Sequence, residues 1–386
     1  MPRILHLADL HLGWSPRFLK TLEMERREER NRLLERAVDF ALSSEGAIGL
    51  VLIAGDLFED HRPEAALVAS VLYQLRRLEA AGVRVVTVPG NHDEISYHDS
   101  VYRQRAAEWP GVLVQNPHPA RVATLDVGGT PCHIYSLAYT GGLTRATTPL
   151  TEFPPAQGPG RHIAVFHGAL DWNPGERSLP LSGAGLAQAG YDYIALGHLH
   201  RHHAWALPGG RLLSEILPRG VAVYPGMVEG KGFSDPGEGF FTVADLGEKI
   251  SLRRVPAGVR PVRSERIDAG AFATADELAE ALASRGEGQG IQELRLTGSP
   301  SFPLPLVALA EKAGPRFYHL EILDETEFLS PEALARLAGE PTIRGQFVRR
   351  LQQALEAAPD ERQRRLLDRA LRLGLAALSP EGRRGA

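Results

Sequence analysis

The chain has little that would tie it to a membrane or to the outside of a cell. It has one cysteine, Cys132, in 386 residues, so no disulfide can form within it. No run approaches 18 consecutive apolar residues, which excludes an ordinary membrane-spanning helix. The first residues, MPRILHLADLHLGW, have neither the charged start nor the long apolar stretch of an export signal. A reducing cytoplasm is the expected location. Internal repeats and low-complexity tracts are absent. Lysine is scarce, with four in the chain, so positive charge is carried almost wholly by arginine. The net charge of −4 does not mark a general polyanion binder. From Pro341 to the C-terminus, however, the chain carries ten arginines against five acids, so any binding surface for polyanions is local.

What is present is the composition of a soluble globular protein, 43% apolar and 23% charged. The length suits two domains with an appendage. Short apolar runs recur at Ile4–Ala8, Ile48–Ala54, Val83–Val88, Ile163–Phe166 and Tyr191–Leu196. Continuous runs of this length suit strands buried on both faces. Helical periodicity appears over Glu25–Leu42 and Glu64–Ala81, with Pro63 in the first turn of the second helix and Gly82 at its end. Gly141–Gly160 and Asp171–Gly185 read as long loops. Past Gly258 the pattern becomes βαβαβ: strands at Val259–Ile267, Ile291–Leu296 and Phe317–Leu323, helices at Thr274–Ser284 and Leu304–Lys312. After Ser330 it is helical, with amphipathic helices at Thr342–Ala357 and Glu361–Leu378. The expected domains are 1–257, 258–330 and 331–386. The helical tail is too small to bury its own core and must dock on this chain or on a partner.

Five motifs follow the five apolar strands of the first domain: Asp9-Leu10-His11, Gly55-Asp56, Gly90-Asn91-His92-Asp93, His167-Gly168 and Gly197-His198-Leu199-His200. Ligands of open α/β sheets bind at the carboxyl ends of strands. Any one of these motifs is ordinary by itself; five at five strand ends are not. Asp9, His11, Asp56, Asn91, His167, His198 and His200 are seven oxygen and imidazole donors, more than one tetrahedral zinc needs. They suit two metal ions sharing a carboxylate, with Mn, Fe or Zn favoured over Ca or a soft metal. Such a pair clamps a phosphoryl group and activates water. His92 is left over, placed to protonate a leaving alkoxide or to stabilise the transition-state oxygen. His61 and His202 are weaker candidates on the substrate side. Trp14 and Trp172 are candidates for stacking on an unpaired base, with packing the competing reading. Arg26, Arg27, Arg30, Arg32 and Arg36, interspersed with Glu25, Glu28, Glu29 and Glu35, read as a solvated charged helix face.

This motif set resembles that of the calcineurin-like metallophosphoesterases. Gly55-Asp56-Leu57-Phe58 with Arg62-Pro63, and Tyr224-Pro225-Gly226 before Gly239-Phe240-Phe241, resemble the SbcD-type DNA-repair exonuclease subunits in particular. The resemblance implies an α/β fold: a layered β-sandwich core flanked by helices, a small α/β capping domain and a C-terminal helical tail. It implies that Asp9, His11 and His200 hold one metal, that Asn91, His167 and His198 hold the other, that Asp56 bridges them, and that His92 is catalytic. It implies two Mn ions, DNA as substrate, a homodimer, and an SbcC-type ATPase whose coiled-coil base binds the C-terminal helices. One departure stands out. Glu59 occupies a position, three residues past the bridging aspartate, where some members carry a second histidine linked to exonuclease work. A stand-alone phosphoesterase acting on a small phosphomonoester or cyclic nucleotide is the rival reading, and a non-catalytic scaffold a third.

Overall fold

The computed structural model describes residues 1–141, 149–172, 178–207, 209–212, 216–300, 302–326 and 331–378. The chain forms two compact units, Met1–Val259 and Arg260–Ala386.

The first unit is built on two seven-stranded mixed sheets. In one, the parallel strands Arg3–Leu7, Leu50–Ala54 and Arg84–Val88 form the centre, and Phe240–Leu246 runs antiparallel beside Arg3–Leu7. In the other, Tyr193–Gly197 lies parallel between Arg161–His167 and Val221–Tyr224. Alternation along the strands divides the apolar residues between two cores. Ile163, Val165, Tyr193 and Ala195 join the large cluster that also holds Ile4, Leu7 and Ile53. Ala164, Phe166, Ile194 and Leu196 face a second cluster with Leu181 and Leu186. Strands with both faces covered have no solvent side to mark with polar residues, which is why they read as unbroken apolar runs.

The helical stretch expected over Glu25–Leu42 is two helices, Glu23–Asn31 and Leu33–Leu42, separated at Arg32. The next helix, Ala65–Ala80, is preceded by Glu64 at its N-cap, so Pro63 lies outside its first turn. The expected loop Asp171–Gly185 contains a short strand, Pro180–Leu181, and opens the helix Gly183–Ala189; residues 173–177 lie outside the described residues. Of the expected loop Gly141–Gly160, residues 142–148 lie outside them too. Cys132 is buried in the large core, and burial pushes its thiol up to about 11, so it packs as a small hydrophobe.

The second unit begins with three parallel strands, Val262–Asp268, Ile291–Thr297 and His319–Asp324, ordered along the chain. The helices Ala275–Ala283 and Leu306–Ala313 bury Leu278, Leu282 and Leu309 against Ile267, Leu294 and Leu296. Three helices follow, Pro331–Ala338, Ile343–Glu356 and Glu361–Leu378; the first was not read from the sequence. Their shared core is Val348, Leu371 and Leu375. Four-residue spacing in Ile343–Glu356 marks Ile343, Phe347, Leu351 and Leu355 as the expected apolar stripe, but the buried residue is Val348, off that stripe, and Ile343 is exposed. Gly374 lets the last helix approach closely: a Cβ there would lie 2.2 Å from the Phe347 ring. Among the described residues no helix is long and apolar enough to cross a membrane.

Candidate metal centre

Parallel strands end their chains on one side, and here the two sheets bring those ends together. Asp9 and His11 follow Arg3–Leu7, Asp56 follows Leu50–Ala54, and Asn91 and His92 follow Arg84–Val88. His167 is the last residue of Arg161–His167, while His198 and His200 follow Tyr193–Gly197. The sheets meet closely at this edge. The His167 Nδ1 donates to the Ala54 carbonyl at 2.9 Å. A Cβ on Gly197 would lie 1.9 Å from the same carbonyl oxygen, so no side chain fits there. Gly55 has φ of +88°, a conformation that favours glycine.

The loops that carry the donors are strained. Asp9, His11, Asp56 and His198 have φ of 54°, 49°, 49° and 99°. Left-handed backbone at a non-glycine residue costs roughly 1–3 kcal/mol and persists only where surrounding contacts over-determine it. Those contacts are present. The backbone N–H of His198 donates to Asp9 Oδ1 at 3.1 Å, and that of His92 to Asp56 Oδ1 at 2.9 Å. Arg30 donates from Nε to the carbonyls of Leu10 and His11. Arg26 and Arg30 are buried, and both pair with the buried Glu229. The expectation of a solvated arginine face is therefore wrong for these two. The sequence showed their charge but not Glu229, some 200 residues away, which compensates it inside the fold.

The donor atoms converge in two groups. His167 Nε2 and His198 Nδ1 lie 2.9 and 3.0 Å from Asn91 Oδ1. His11 Nε2 lies 3.2 Å from His200 Nε2, which is 3.9 Å from Asp9 Oδ1. Asp56 stands between the groups, its Oδ2 3.4 Å from His167 Nε2 and 3.8 Å from His11 Nε2. His92 belongs to the same cluster: it forms a three-donor set with His11 and Asp56 whose atoms lie within 4.8 Å of one another. Its ring meets that of His11 edge-on, with centroids 4.7 Å apart.

The outer partners of the histidines show that this set fits cations. His11 Nδ1 is 2.8 Å from Glu59 Oε2, and His200 Nδ1 is paired with Asp235. A histidine whose Nδ1 proton is held by an outer acceptor turns a bare Nε2 lone pair inward, as metal-binding histidines do. At 3.2 Å the two Nε2 lone pairs of His11 and His200 repel unless a positive charge lies among them. Two of the four imidazoles are already neutral, while Asp235 raises His200 against the effect of burial. Burial pushes the His11 imidazole down to about 4, and burial with the nearby His167 pushes that of His198 down to about 3, so both are neutral donors at pH 7. Burial disfavours charge on Asp56 and His167 as well. Each nevertheless stabilises the other: Asp56 lies well below the usual carboxylate range, and His167 is held up to about 9.

Glu59 meets three groups of the site. Its carboxylate takes His11 and, at 2.8 Å, Lys231 Nζ, while its carbonyl accepts from His92 Nδ1 at 3.1 Å. Lys231 and Asp235 were not singled out from the sequence, because they lie in a turn-rich segment with no periodicity and meet the site only through the fold. Trp14 has two cations over its ring, Arg30 and Lys231, 5.2 and 5.5 Å from its centre. His61 stacks on Tyr97 and lies beside Asp60 and Asp99.

Asp93 ties the Asn91–His92 turn to its neighbours. Buried, it accepts from Gly90 N at 2.7 Å, Phe58 N at 3.1 Å and Tyr102 Oη at 2.7 Å. Asp93→Ala leaves these donors unpaired and is expected to cost about 3 kcal/mol, read as a lower urea midpoint. Burial and Asp56 raise the Asp93 carboxyl to about 6. Its contribution to stability is then full below about pH 4 and declines as pH rises through 6. Asp93→Asn should flatten that part of the stability–pH curve; an unchanged curve would show that Asp93 does not titrate there.

Comparison with known proteins places these observations. The profile of the calcineurin-like phosphoesterase family matches residues 2–202. A protein of Methanopyrus kandleri called DNA double-strand break repair protein Mre11 is 28% identical over 208 residues, 51% of this chain and 44% of its own length. A protein of the same description from Sulfurisphaera tokodaii is 24% identical over 269 residues, 67% of this chain and 63% of its own. The uncharacterized metallophosphoesterase YhaO of Bacillus subtilis is 25% identical over 260 residues, 64% of this chain and 58% of its own. The chain thus spans roughly half the length of the curated relatives it matches.

Proposed function

This chain belongs to the calcineurin-like phosphoesterase family, and from that premise we propose that it is a metal-dependent DNA nuclease of double-strand-break repair, with Mn as its preferred ion. The observation that carries the reading is the convergence of the seven donors around Asp56, with His92 beside them. Asp9, His11 and His200 would hold one divalent cation and Asn91, His167 and His198 the other. Bound there, such ions supply the Lewis acidity that polarises a phosphoryl group and lowers the pKa of water. The chain's own residues do the rest. Glu59 and Asp235 orient His11 and His200, the Glu59 carbonyl holds the His92 Nδ1–H, and His92, protonated on both ring nitrogens, gives its Nε2 proton to the leaving 3′ or 5′ oxygen. DNA as the substrate is favoured by the two relatives described as break-repair proteins. Mn-dependent cleavage of single-stranded and duplex DNA, beside a generic phosphodiester, tests it. Hydrolysis of the generic ester with no cleavage of either DNA would leave a phosphoesterase of another substrate.

We also propose that residues 258–330 form a capping domain, that residues 331–378 dock on an SbcC-like ATPase, and that the chain works as a homodimer. After Val348, Leu371 and Leu375 are buried, Ile343, Leu366, Leu373 and Leu378 remain 79%, 68%, 54% and 41% exposed. Helix faces this apolar favour a partner. The double variant Leu366→Glu, Leu373→Glu should abolish co-purification with the ATPase and any ATP-stimulated activity while Mn-dependent cleavage of simple substrates persists. Undiminished association would move the interface elsewhere.

A further inference from the structure

A cavity of about 380 Å³ opens beside the metal-donor cluster, lined chiefly by Leu170, Trp172, His198, Leu199, Trp205 and Tyr224. The volume lies within the roughly 300–1,000 Å³ of small-molecule sites. Its wall begins where the donor set ends, because His198 both lines the cavity and sits 3.0 Å from Asn91 Oδ1. Trp172 is 58% exposed, far more than a packing role requires. Tyr224 presents its ring and not its hydroxyl, which already donates to the Gly168 carbonyl and accepts from Leu170 N–H, each at 2.9 Å. Among the described residues the lining carries aromatic faces, leucines and one acid, Asp171, but no lysine or arginine. It suits a flat, weakly polar ring and not a phosphate. The adjacent donors suit a phosphate and not a ring. A nucleotide joins those two groups through one sugar.

We propose that this cavity is a subsite for a single unstacked nucleobase next to the phosphate being cut, with Trp172 as its stacking platform. The proposal rests on the nuclease reading above and narrows its substrate. A base can enter only after leaving its neighbours in the helix, so the enzyme acts on single-stranded or frayed DNA in preference to paired interior positions.

The test uses the full chain with Mn and reads tryptophan fluorescence, corrected for nucleotide absorbance, during titration with 2′-deoxyadenosine 5′-monophosphate or with deoxyribose 5-phosphate. The nucleotide should quench and bind the tighter of the two. Trp172→Ala should weaken nucleotide binding about tenfold, the scale of one base–aromatic stack, and Trp172→Phe, which keeps an aromatic face, should restore most of it. In parallel, an oligonucleotide abasic beside the scissile phosphate should show a raised KM with the wild-type chain and no such penalty with Trp172→Ala. Equal binding of the two phosphates, or wild-type affinity in Trp172→Ala, overturns the subsite. Failure to cut any DNA would sink the nuclease reading alone, and the titration would still decide for or against the base subsite.

Discussion

Asp56→Asn is expected to leave the protein folded but unable to hold two metal ions together. Asp56 is 2% exposed, and its Oδ2 stands between the two donor groups. The amide keeps the shape and one oxygen, so the hydrogen bond from His92 N can survive. What is lost is the negative charge that two cations would share and that His167 now faces. Lewis-acid stabilisation by a bound ion is worth several kcal/mol, so the rate should fall about 10³- to 10⁵-fold. Calorimetric titration with Mn should show one of the two sites weakened or gone. Two sites of wild-type affinity in Asp56→Asn would remove Asp56 from the bridging position.

His92→Ala should separate chemistry from metal binding. The Glu59 carbonyl holds the Nδ1 proton, which leaves Nε2 as the atom that exchanges protons with substrate. Loss of a general acid costs roughly 10²- to 10⁴-fold in rate. The penalty should be large for DNA, whose leaving alkoxide needs a proton. It should be small for a p-nitrophenyl phosphodiester, whose leaving group departs as an anion. Metal stoichiometry should stay at two. His92 also stands within 4.8 Å of donor atoms on His11 and Asp56, so loss of an ion in His92→Ala is the result that would make it a ligand.

The donors were legible because each motif is local. Asp9-x-His11 and His198-x-His200 place two donors on short segments directly after apolar strands, and buried parallel strands announce themselves as unbroken apolar runs. Their convergence could be expected from the strand-end rule alone, and the distances among Asn91, His167 and His198 agree with it. The βαβαβ pattern past Gly258 was legible on the same ground, since alternating periods need no distant partner to be read.

The groups around the donors were not legible. Glu59 is adjacent in sequence, yet its grip on His11 and Lys231 depends on where residue 231 returns. Arg26 and Arg30 looked like solvent-facing charge, because burying a guanidinium is costly without a partner, and Glu229 is supplied by a distant turn. Arg32, at the break between two helices, and Val348, off the expected stripe, were likewise decided by packing. The two tryptophans divided in the same way: two cations lie over Trp14, while Trp172 stands at the mouth of a cavity. By itself the sequence determined which atoms could bind metal and at which strand ends they stand, because donor type and strand period are properties of a few consecutive residues. Only the tertiary structure decided how those atoms are oriented, charged and surrounded, because orientation, charge and desolvation are set by residues that meet only when the chain has folded.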